Sequence, residues 1–136
     1  MISLSQFRRS IKHALEGIVQ IADEEQSFRI QFFAGAGVLG LMFAMPSLQI
    51  WERVALIFLI AMVLILEIIN SIVERLADAL EPKVSPMVKD IKDMMAGAVL
   101  LSAIASALIG VLIFWPHILP TLMVLWNMFL WKMGVL

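Results

Sequence analysis

Residues 54–66 read Val54-Ala-Leu-Ile-Phe-Leu-Ile-Ala-Met-Val-Leu-Ile-Leu66, thirteen positions without a charge, and the chain continues as Glu67-Ile-Ile-Asn70-Ser71-Ile-Val-Glu74. A segment this apolar that enters lipid must satisfy its backbone polar groups internally, which makes it a helix. At about 1.5 Å of rise per residue, Glu67 lies roughly 20 Å along that helix from Val54. A hydrocarbon core of about 30 Å therefore contains it, within about 10 Å of the far edge. Spacings of three and seven residues put Glu67, Asn70 and Glu74 on one helix face. An ionisable residue at that depth costs on the order of 2.5–3.5 kcal/mol on insertion scales and marks a functional site. The position suits a group that accepts and releases a proton. The structural alternative is a helix–helix staple made by Asn70 with a protonated Glu67.

The whole chain carries the same signature. Its 136 residues are 62% hydrophobic and 15% charged, with a mean hydropathy of +0.97. A soluble domain is about 45–50% apolar and about 25% charged, and a small one buries only about two thirds of its surface. A typical soluble fold and low-complexity disorder are both excluded. The formal net charge of −1 gives no basic field for nucleic acid. With no cysteine, disulfides, Cys-ligated zinc and a thiol nucleophile are excluded too. The length allows a single domain.

Outward from the central helix, the fold predicted is all-α and integral to a membrane. The first span covers 30–51, apolar from Phe32 to Met45, with Pro46-Ser47 marking its end. The second covers 54–80 and the third 92–115, with 22 uncharged residues from Met94 to Trp115. Ser102, Ser106 and Gly110, four apart, offer a small face for close helix packing. Residues 119–136, with Trp126 and Trp131, form a further hydrophobic tail, read as a fourth helix or an interfacial anchor. Residues 1–29 are the polar part: Phe7, Ile11, Ala14, Leu15, Ile18 and Ala22 make one apolar stripe, as on a helix lying at a membrane surface or packed on the core. No cleavable signal peptide is expected, since the first strongly apolar run begins near Phe32 and no small-residue cleavage site follows it. Arg8, Arg9, Lys12, Arg29, Arg75, Lys83, Lys89 and Lys92, eight of the ten cations, fall on one side. The positive-inside rule makes that side cytoplasmic.

Other charges gather near Glu67. Asp23, Glu24 and Glu25 end the surface helix, and Lys92 and Asp93 open the third span. Two carboxylates from different helices, such as Glu25 and Glu74, suit Mg²⁺, which takes a few carboxylates plus substrate phosphates. A lysine beside them would neutralise phosphate oxygens. Gly35, Gly37 and Gly40 spell G-x-G-x-x-G, but inside a membrane span the pattern serves helix packing and not a dinucleotide. His13 and His117 belong to no ligand spacing and read as polar surface residues.

The segment Glu67-Ile-Ile-Asn70-Ser71-Ile-Val-Glu74, followed by Lys92-Asp93-Met94-Met95-Ala96-Gly97-Ala98-Val99, resembles the prokaryotic diacylglycerol kinase family, which includes the undecaprenol kinases. Glu25-Gln26-Ser27-Phe28-Arg29 resembles the family's E-x-x-F-R segment, and Phe7-x-Arg9-x-x-Lys12 its surface helix. The likeness covers roughly residues 5–115. It implies a homotrimeric membrane lipid kinase, multi-pass in a bacterial inner (plasma) membrane. With Mg²⁺, it would transfer the γ-phosphate of ATP to a lipid hydroxyl at the cytoplasmic interface. It implies Glu67 as general base, Glu25 and Glu74 as metal ligands, Lys92 on the ATP phosphates, and Asn70 and Asp93 orienting the site. Arg9 and Lys12 would contact ATP or a lipid headgroup. Gln31 replaces an acidic residue of some members, so no role carries over there. Ala96-Gly97 resembles the undecaprenol type and Asn70-Ser71 the diacylglycerol type, which leaves both acceptors open. Outside the enzyme class, the alternative is a membrane scaffold or proton-relay bundle that uses the same Glu67.

Overall fold

The computed structural model describes residues 3–80 and 85–133. Lys83, counted among the cations above, and the last three residues of the tail lie outside them. Four helices follow one another: α1 (Leu4–Glu24), α2 (Gln26–Ala44), α3 (Ile50–Leu80) and α4 (Pro86–Lys132). The last three are long and apolar enough to cross a membrane. Large side chains such as Phe33, Phe43, Phe58 and Leu101 face outward, as lipid-facing residues do.

Helix α1 starts at Ser3, whose hydroxyl accepts the Gln6 amide while Gln6 returns a bond to the Ser3 amide, a reciprocal cap. Phe7, Ile11, Leu15 and Ile18 are exposed, and only Ile21 is buried. At extended Glu25 the chain turns from α1 into α2. Arg29 ties the corner by donating to the carbonyls of Ala22 and Asp23, both at 2.9 Å, while Phe28 is buried beneath it.

The first span begins and ends earlier than its apolar run suggests: α2 starts at Gln26 and stops at Ala44. Pro46 explains the end, because it pushes Met45 out of helical geometry. The loose carbonyls there are collected by Arg53, which donates to Met42 (3.2 Å), Met45 (2.9 Å) and Leu48 (3.2 Å). Helix α3 begins at Ile50, ahead of the expected start, and the Glu52 carboxylate accepts the Gln49 amide at 2.7 Å. Antiparallel α2 and α3 approach closely at Gly35, where an added Cβ would lie 2.9 Å from Ile60 Cγ2.

The expected break between a third span and a separate tail helix is absent: α4 is one helix of 47 residues with Pro116 and Pro120 inside it. At about 1.5 Å per residue it measures roughly 70 Å. Each proline removes one backbone bond, and tertiary contacts hold the helix on both sides of Pro116. Ile113 and Phe114 pack with Met42, Leu48 and Leu56, and Ile118 covers that cluster. His117 is not a solvated surface residue, as its isolation in the sequence suggested. Its Nδ1 lies 3.0 Å from Ser47 Oγ and its Nε2 3.1 Å from Glu52 Oε2. His13 does stand exposed, bonded to Glu16 of its own helix.

Overpacking costs about 1–3 kcal/mol. Gly35→Ala is therefore expected to lower stability by about that amount in detergent unfolding, and Ile60→Ala in the same chain to restore part of it. Gly37→Ala, with nothing within 4 Å of its added Cβ, should show no such loss.

Candidate active site

The end of α3 farthest from the α2–α3 turn gathers the polar groups. Glu67 is 3% exposed, the most buried carboxylate among the described residues. Gln31 of α2 donates from Nε2 to its Oε2 at 3.1 Å. Burying a carboxylate costs heavily unless it is hydrogen-bonded, and Gln31 supplies that bond across 36 positions of sequence. Ser71 is also buried and bonds back to the Glu67 carbonyl at 3.1 Å.

One turn on, Asn70 donates to Glu74 Oε1 at 3.1 Å. Asn70 thus orients a carboxylate of its own helix and does not staple Glu67 to a neighbour. Its Oδ1 is buried without a protein partner. Arg75 reaches the α1–α2 corner, 2.7 Å from Glu24 and 3.6 Å from Glu25. Lys92 of α4 lies 2.9 Å from Asp78. Residues 67, 70, 71, 74, 75 and 78 share one side of α3, and through them α1, α2 and α4 are each tied to it.

Other expected members stand apart. Arg9 and Asp93 are exposed, and Lys12 pairs with Glu16 at 3.6 Å on its own helix. Among the described residues, no three acidic or histidine side chains lie close enough together to hold a metal alone. Gln31, Arg75 and Asp78 carry contacts that sequence reasoning did not assign. Arg75 was read only as a charge, and its spacing of one from Glu74 was the available signal. Gly35, of the discounted glycine motif, serves helix packing as expected.

An apolar cavity of about 580 Å³ lies between α2, α3 and α4, running along α3 from Val63 to Leu56; Glu67 does not line it. Gln31 stands in its wall together with Gly35, Leu59, Ser106, Gly110 and Trp115.

Residues 12–114 match the family model of prokaryotic diacylglycerol kinase. The chain belongs to that family. It is accordingly a lipid kinase, and the scaffold alternative falls away. The chain is 36% identical over 115 residues to an undecaprenol kinase of Bacillus subtilis, which covers 85% of this chain and 93% of that protein. It is 33% identical over 114 residues to a diacylglycerol kinase of Synechocystis, which covers 81% of this chain and 63% of that protein. The family match stops just before Trp115, so His117 and the rest of α4 lie beyond it.

Exposed ion pairs contribute about 0–1 kcal/mol. Arg75→Met should therefore change global stability by no more than about that amount. Its effect is expected locally, as faster amide hydrogen exchange across residues 20–26, where the α1–α2 corner loses its tie to α3.

Proposed function

We propose that this lipid kinase transfers the γ-phosphate of ATP, with Mg²⁺, to the hydroxyl of diacylglycerol, giving phosphatidic acid. The observation that carries the reading is Glu67, a buried carboxylate at the charged end of an apolar spanning helix, bonded to Gln31, which lines an apolar cavity. Glu67 accepts the proton of the lipid hydroxyl as the hydroxyl oxygen bonds to the γ-phosphorus, and the bond from that phosphorus to the bridging oxygen breaks, ADP leaving with its electron pair. Positioning and charge neutralisation do most of the work in such a transfer. Lys92 and, more remotely, Arg9 and Lys12 supply cations for the phosphates. Asn70 orients Glu74, and Asp93 completes the polar rim.

Glu25 and Glu74 would hold the Mg²⁺. The donor set fits: both offer carboxylate oxygens, as the ion requires, and the buried Asn70 Oδ1 beside Glu74 is an oxygen without a protein partner. Bound there, the ion would supply neutralisation of negative charge on the phosphate oxygens.

Undecaprenol is the second acceptor reading. Ala96-Gly97 favours it, as does the match to the Bacillus subtilis undecaprenol kinase over 93% of that protein's length. Assembly as a homotrimer rests on the family resemblance. Eight of ten cations on one side support a cytoplasmic site in a bacterial inner membrane. The exposed apolar stripe of α1 supports a helix lying on that membrane surface.

Purified protein in mixed micelles with labelled ATP is expected to produce labelled phosphatidic acid or undecaprenyl phosphate, each lipid being offered separately. Glu67→Gln should lower turnover by at least about a hundredfold, within the range of general-base catalysis, while ATP binding stays intact. Glu74→Gln should raise the Mg²⁺ concentration needed for half-maximal rate. Absence of product with both lipids, from folded protein, would overturn the acceptor assignment.

A further inference from the structure

We infer that Gln31 is a positioning residue for the reaction: its amide fixes the Glu67 carboxylate so that one chosen oxygen faces the acceptor hydroxyl. The inference rests on Glu67 as the base. Gln31 Nε2 engages Oε2 of Glu67 at 3.1 Å, which leaves Oε1 to receive the proton. Glu67 is 3% exposed and the surrounding helices are apolar, so water is a poor substitute for that donor. The bond is directional because an amide nitrogen only donates and an ionised carboxylate only accepts.

Gln31 is itself held in place. Gly35, one turn along α2, lets the helix approach α3 at Ile60, which sets the distance across which Gln31 reaches Glu67. On the other side, Gln31 stands in the wall of the apolar groove, and its Oε1 is buried without a protein partner. The same side chain therefore touches the base and lines the apolar cavity. The charges nearby are occupied elsewhere. Arg75 is with Glu24 and Glu25, and Lys92 with Asp78, so among the described residues no cation takes over the role of Gln31.

The chemistry predicts a defect in turnover, not in nucleotide binding. A hydrogen bond to a charged group, once lost, corresponds to about a ten- to hundredfold change. Gln31→Met keeps the length of the side chain and removes the donor. Its kcat at saturating lipid is expected to fall about ten- to hundredfold, with KM for ATP within about twofold of the unaltered enzyme. Gln31→Ala serves as the second variant, and the elution volume and unfolding temperature in detergent report whether each remains folded. The deciding arm is a double substitution. In a Glu67→Ala background there is no carboxylate to hold, so Gln31→Met should change the residual rate by less than about twofold.

A kcat within twofold of the unaltered enzyme in Gln31→Met would overturn the inference. So would an equal loss in both backgrounds, which would assign Gln31 to general packing. Glu67→Gln, assayed alongside, separates the two layers. Full activity there overturns the base assignment and the inference with it. An inactive Glu67→Gln beside an unaffected Gln31→Met overturns only the positioning role.

Discussion

A carboxylate cannot remain buried in an apolar helix pair without a hydrogen-bond donor, and the bond from Gln31 to Glu67 meets that requirement. Much of the packing follows from it. The bond requires α2 and α3 to lie side by side in one register, and the register is kept by Gly35 against Ile60 one turn away. Small-residue contacts of this kind bring helices together in lipid, where the hydrophobic effect gives no preference between a neighbouring helix and a lipid tail. Polar pairing and close backbone approach thus act together on the same helix pair.

The two ends of that pair are built differently. At the turn end, Arg53 collects the carbonyls of Met42, Met45 and Leu48, and Ser47, Glu52 and His117 join the turn to α4. Arg53 satisfies carbonyls at and just beyond the C-terminus of α2, and the Gln49 amide and the His117 ring meet the first-turn carboxylate of α3. At the other end, polar groups remain in excess of structural need. Asn70 Oδ1 and Gln31 Oε1 have no protein partner, and carboxylates outnumber what the corner requires. The bundle thus has a closed end and an open one, and the proposed chemistry sits at the open one.

The apolar runs, the face shared by Glu67, Asn70 and Glu74, and the all-helical character were legible because each is local, repeating at helical spacing within one segment. The partner of Glu67 was not. Gln31 is 36 positions away, and as a neutral amide within a hydrophobic stretch it carries no charge signal. His117 and Glu52 meet across 65 positions, which made His117 look isolated. That α4 is one helix through Pro116 and Pro120 was not legible for a related reason. A proline removes a local bond, and read locally it ends a helix. In the fold, Phe114, Ile118 and His117 grip α4 on both sides of the interruption. The cost of a missing backbone bond is offset by contacts that no local window contains.

The charges at the open end are stored as pairs: Arg75 with Glu24 and Glu25, Lys92 with Asp78, Asn70 with Glu74. This explains why Glu25 and Glu74 do not form a ready-made metal cage. Unpaired carboxylates crowded at a membrane edge would repel one another, and pairing each with its own cation or amide removes that repulsion. The ion pairs among them are part-exposed and weak, so the polyphosphate and metal ion of the proposed reaction would displace them at little cost. Glu67 differs in that its partner is a neutral, half-buried amide. A cation in that place would make the carboxylate a weaker base, whereas an amide would hold it in place and leave one oxygen free for the base role proposed for it.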